Sequence, residues 1–120
     1  MSFFEGLQAN IRGIYENILR EKGVRQTDST LNCSYATIME EIKRVYKQCD
    51  INGLKVLDFA NNIIQMLLNK KFFVHENDKM SIIIGWIYLK SKGIAKSQLP
   101  TWNINANSTL ADIAAVTSTW

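Results

Sequence analysis

The sequence predicts an all-α fold, a compact single-domain helical bundle of about five to six helices spanning residues 1–120. Three observations carry this expectation. Apolar residues recur at three- and four-residue intervals through four long stretches, the period of one helix face. Period-two alternation hardly occurs, so half-buried strands have little support, although a short hairpin in the polar loops stays open. One proline interrupts 120 residues, and with 47% hydrophobic and 21% charged residues the composition is globular rather than disordered.

The elements follow in order. Phe3, Phe4, Leu7, Ile11, Ile14, Tyr15, Ile18 and Leu19 mark an amphipathic first helix that should end near Gly23. Residues 24–34 are polar, with Thr27, Asp28, Ser29 and Thr30 in succession, and read as a loop whose last residue, Ser34, is a candidate N-cap. Ile38, Met39, Ile42, Val45 and Tyr46 stripe a second helix, broken at Asp50, Ile51, Asn52 and Gly53. Leu54, Leu57, Ala60, Ile63, Ile64, Leu67 and Leu68 give a third helix running to about Asn69. A fourth, from about 77 to 92, is apolar almost all round, which places it at the centre of the bundle, and Gly93 suits its C-terminal cap. Residues 97–107 carry Pro100 and three asparagines and read as an irregular excursion, with Trp102 and Ile104 folded back onto the body. Ser108 or Thr109 then caps a short last helix beginning Leu110, Ala111, Asp112, Ile113.

Composition excludes several function classes. A net charge of +3, with basic residues in small groups interleaved with acids, is too weak to argue nucleic-acid binding. The longest strongly apolar run, 82–89, is far too short to span a bilayer, and residues 1–6 lack the pattern of a secretory signal, so the expectation is a soluble cytoplasmic protein with no membrane role. Cys33 and Cys49 are too far apart for a C-x-x-C pair, and with His75 the sole histidine no zinc set can be assembled; both thiols are expected buried and reduced, with no metal site. G-x-S-x-G, P-loop and H-E-x-x-H patterns are absent, which removes the motif basis for hydrolase, NTPase and zinc-protease readings.

The chemistry-bearing segment joins the third and fourth helices. It runs Lys70, Lys71, Phe72, Phe73, Val74, His75, Glu76, Asn77, Asp78, Lys79, and the helix beyond it ends Tyr88, Leu89, Lys90, Ser91, Lys92, Gly93. This region, 69–93, resembles the Fic/Doc (filamentation and death-on-curing) signature H-x-F-x-(D/E)-(G/A)-N-(G/K)-R, which in the death-on-curing branch continues into an apolar helix ending F-L-x-x-N-G. The two registers align without a gap. Phe73 falls on the motif phenylalanine, Asn77 on the asparagine, Lys79 on the arginine, Tyr88 and Leu89 on F-L, and Gly93 on the last glycine. Leu110, Ala111, Asp112 and Ile113 are similar to the L-A-D-L start of the family's last helix. The resemblance covers roughly residues 54–116.

What the resemblance implies is an AMP- or phosphate-transferring domain, using ATP and magnesium where active, whose motif histidine is the general base. Here that position holds Lys71. An amine with an ordinary pKa of about 10.4 needs a downward shift of about three units to accept a proton at neutral pH. The acidic position that would help hold magnesium is His75, a poor substitute because magnesium takes oxygen ligands. The small residue that lets backbone N–H groups approach phosphate is Glu76, whose charge favours a helix N-terminus but opposes an anion there. Lys79 keeps the arginine's charge without its two-pronged fork. Lys71, Asn77 and Lys79 are the candidate phosphate contacts, although Asn77 is equally an ordinary N-cap. His75 reads as well as a surface loop residue, and Phe72, Phe73 and Trp86 as packing. The expectation is a degenerate Fic/Doc-like protein of bacterial toxin–antitoxin type that acts through a protein partner or weak nucleotide binding. Two alternatives stand beside it: a divergent nucleotidyl- or phosphotransferase modifying a protein hydroxyl, and a small immunity or antitoxin-like helical binder.

Overall fold

The structure, a computed structural model, describes residues 3–51, 53 and 55–94. Four α-helices and one 3-10 turn make up the described fold: α1 (Phe3–Glu21), the turn (Asp28–Thr30), α2 (Tyr35–Ile51), α3 (Val56–Lys70) and α4 (Asn77–Ser91). No β-strand occurs among the described residues. The architecture is therefore all-α, with four α-helices where five to six were expected, and the expected excursion at 97–107 and last helix near 108–113 lie outside the described residues.

Each helix forms where its apolar stripe can be buried. In α1, Leu7, Ile11, Ile14, Tyr15, Ile18 and Leu19 line the inward face. The chain leaves α1 through Gly23 at φ 71°, with Gly23 N–H donating to Arg20 C=O and Val24 N–H to Leu19 C=O. That pair is a Schellman closure, and the left-handed residue it needs is the glycine. An equivalent closure ends α4, where Gly93 at φ 79° accompanies Ile94 N–H donating to Leu89 C=O. Ser34 begins α2 as expected: its Oγ accepts from Thr37 N–H at 3.2 Å.

Among the described helices α3 and α4 pack most extensively, with α1 set against α4 and α2 against both α3 and α1. Every residue of α4 from Met80 to Leu89 is buried, so this helix is the central one and Trp86 packs in the core at 1% exposure. Close approach of α3 and α4 depends on Gly85, since a Cβ there would lie 2.4 Å from Ile64 Cδ1. One end of the bundle is closed by a run of edge-to-face rings. Phe4 meets Tyr46, Tyr46 meets Phe59, Phe59 meets Tyr88 and Tyr88 meets Phe3, at centroid separations of 4.5 to 5.2 Å. This run ties all four helices together at the end where α3 begins and α4 finishes. The motif loop lies at the opposite end.

Among the described residues no helix is long and apolar enough to cross a membrane. Cys33 and Cys49 are both free thiols; Cys49 is buried as expected, whereas Cys33 is half-exposed in the loop before α2.

Candidate functional site: the loop before the central helix

The turn from α3 into α4 is built from two left-handed residues. Lys71 closes α3 at φ 51°, with its N–H donating to Leu67 C=O, and Glu76 opens α4 at φ 56°. An L residue in this region carries a steric cost of about 1–2 kcal/mol, so the surrounding contacts must hold both positions. Glu76 is the position at which the Fic/Doc pattern has a glycine or alanine.

Three features supply those contacts. Asn77 is the first helical residue of α4, not its N-cap as the sequence allowed; Glu76 is the cap. The Asn77 amide faces back into the loop, where Oδ1 accepts from Phe73 N–H at 3.2 Å and Nδ2 donates to Leu67 C=O at 3.3 Å. One side chain thus ties the last turn of α3, the middle of the loop and the start of α4. Ser81, fully buried one turn on, donates to Asn77 C=O at 2.6 Å.

The second feature is Tyr15 of α1. Its ring meets Phe73 edge-to-face at 4.8 Å, and its hydroxyl donates to Thr30 C=O at 2.7 Å while the hydroxyl oxygen accepts from His75 N–H at 3.2 Å. Burial, the largest influence, pushes the Tyr15 phenol pKa upward, against the opposing effect of the His75 N–H bond. It therefore stays a neutral donor at physiological pH.

The third is the segment leaving the 3-10 turn. Leu31 pairs antiparallel with Phe73, flanked by Asn32 N–H donating to Phe72 C=O at 2.8 Å and Val74 N–H donating to Thr30 C=O at 3.0 Å. Asn32 Nδ2 adds a bond to Lys71 C=O at 2.6 Å. The extended structure that stayed open for the polar loops is this single bridge between two loops, not a hairpin within one.

The sequence-derived site residues divide accordingly. Phe72 and Phe73 are buried anchors, as expected, and Asn77 is committed to the backbone of the loop and of the last turn of α3. The Glu76 carboxylate lies 2.7 Å from Lys22 Nζ, so the N-terminus of α4 carries an ion pair from α1's end. Lys71, Val74, His75 and Asp78 are exposed, and Lys79 is half-buried and partnered. Among the described residues no group of three or more His, Cys, Asp and Glu side chains is arranged to hold a metal ion.

Sequence reasoning named neither Tyr15, Thr30, Asn32 nor Lys22 as part of this loop. A tyrosine in an otherwise aliphatic stripe was the available signal, because a buried phenol needs a polar partner. Which backbone groups would serve depends on the path of two loops remote in sequence. No family model, curated protein or solved structure matches the chain.

Proposed function

We propose that the chain is a degenerate Fic/Doc-like domain that acts by binding, through a protein partner or a weakly held nucleotide, and does not transfer nucleotidyl or phosphoryl groups. The observation that carries this reading is the state of the α4 N-terminus. The groups that the resemblance would turn toward a triphosphate are engaged by the fold itself. Asn77 bonds Phe73 and Leu67, and Glu76 sets a carboxylate, paired to Lys22, where an anion would sit. The left-handed backbone at Glu76 supports the resemblance, because that is the conformation a glycine at this motif position serves. The residue at the base position, Lys71, is an exposed cap of α3.

Two measurements test the proposal. Titration calorimetry with ATP and magnesium should give at most millimolar binding, and the protein should transfer neither AMP nor phosphate to the proteins of a cell lysate. Labelling that is robust in the wild type and lost in Lys71→Ala would overturn it in favour of a divergent transferase. Direct, saturable binding to the product of a neighbouring gene in its operon would identify the toxin–antitoxin setting that the resemblance implies.

A further inference from the structure

A concave surface borders the segment that braces the motif loop. Residues 26–28 and 31–35, on the path from the end of α1 into α2, line with Arg12 an open groove of about 490 Å³. That is within the usual size of a small-molecule site. Its polar groups can be sorted by what the fold already uses. Gln26 is spent at both ends, accepting from the Tyr35 hydroxyl and donating to Arg12 C=O. Thr27 is engaged with Ser29 and the 3-10 turn, and Ser34 caps α2. Asn32 spends its Nδ2 on Lys71 C=O, which leaves its Oδ1 as an acceptor.

The remaining groups differ in kind. The Arg12 guanidinium is held over the Tyr35 ring at 4.8 Å and makes no ion pair among the described residues. The Asp28 carboxylate likewise has no hydrogen bond or ion pair among them. Two opposite charges, one acceptor and the half-buried apolar surfaces of Leu31 and Tyr35 therefore share one groove. Stacking on Tyr35 restricts the guanidinium before any ligand arrives, which lowers the ordering cost of binding.

We propose that this groove binds a small zwitterion, an aliphatic amino acid or dipeptide, with its carboxylate on Arg12, its ammonium on Asp28 and its side chain against Leu31 and Tyr35. A purely anionic ligand would meet Asp28, and a purely cationic one Arg12, so the pair selects a molecule carrying both charges. Neither this site nor its test depends on the fate of the motif loop.

The experiment follows backbone amide resonances of the full chain while leucine, alanylleucine, N-acetyl-alanylleucine amide and inorganic phosphate are each titrated to about 10 mM, a range that captures Kd values near 1 mM. Leucine or alanylleucine should shift the resonances of Asn32, Cys33 and Tyr35 saturably, and the one that binds tighter identifies the ligand's length. The blocked dipeptide and phosphate should leave them in place. Arg12→Gln and Asp28→Asn should each weaken binding about tenfold, as expected for loss of one charge-assisted contact. Arg12→Lys, which keeps the charge, should retain part of the affinity, while the spectra of all three variants remain those of the folded chain. Absence of shifts with both zwitterions, equal shifts with the blocked peptide or phosphate, or indifference to Arg12→Gln and Asp28→Asn in folded protein would overturn the proposal.

Discussion

Asn77 shows how one residue can match a motif and yet be occupied by structure. Replacing it with alanine takes the acceptor from Phe73 N–H, while Leu67 C=O loses one of two donors and keeps Lys71 N–H. An N–H left unsatisfied costs about 1–3 kcal/mol when buried, and the half-buried setting of Asn77 puts the expected loss at the lower end, about 1 kcal/mol. Asn77→Asp keeps the acceptor for Phe73 N–H and should lose less. Urea midpoints for the two variants check this order; an alanine variant as stable as wild type would show that the amide is not a clamp. Sequence alone marks Asn77 through its spacing from Phe73, but its bonding partners follow from the two left-handed residues, Lys71 and Glu76. Neither is a glycine, and an L residue with positive φ leaves no compositional trace.

At the scale of elements, the helices were legible because periodicity and burial are the same fact seen twice. The stripe Leu7, Ile11, Ile14, Tyr15, Ile18, Leu19 is the buried face of α1, and the run of apolar residues in α4 is the mark of a helix enclosed by the others. What periodicity does not reveal is where two helices touch. Gly85 is unremarkable as a letter in α4, yet it is the point at which α4 meets Ile64 of α3. Gly85→Ala should gain up to about 1 kcal/mol in helix propensity and lose more to overpacking, which costs about 1–3 kcal/mol where the neighbour cannot retreat. In an Ile64→Ala background the clashing Cδ1 and Cγ1 are gone, so the same substitution should become neutral or stabilising. A double-mutant cycle by chemical denaturation measures that reversal, and additive effects would show that the two positions are uncoupled.

Across the whole molecule, titration of partly and fully buried phenols and thiols should lower stability at alkaline pH. Burial raises the pKa values of Tyr15, Tyr35 and Tyr88, and of Cys33 and Cys49, above their ordinary values. A group with a raised folded-state pKa contributes stability that is fully present below its unfolded pKa and is lost as pH rises toward the folded one. All five shifts have that sign. Stability should therefore hold through neutral pH and decline from about pH 9 upward, as thiols and then phenols ionise in the unfolded chain. Denaturant midpoints across this range check the prediction, and Tyr35→Phe should flatten part of the decline.

The pairing of residues 30–32 with 72–74 has a consequence for how the molecule opens. A polar connection as long as 24–34 would ordinarily fluctuate on its own, because loops have few contacts to lose. Here Thr30 and Asn32 hold the backbone at Val74, Phe72 and Lys71, and Tyr15 holds Thr30 and His75 with one hydroxyl. Neither stretch can lift away without stranding polar groups of the other. The two connections, about forty positions apart in the chain, should therefore open as a single cooperative foldon, breathing as one or not at all.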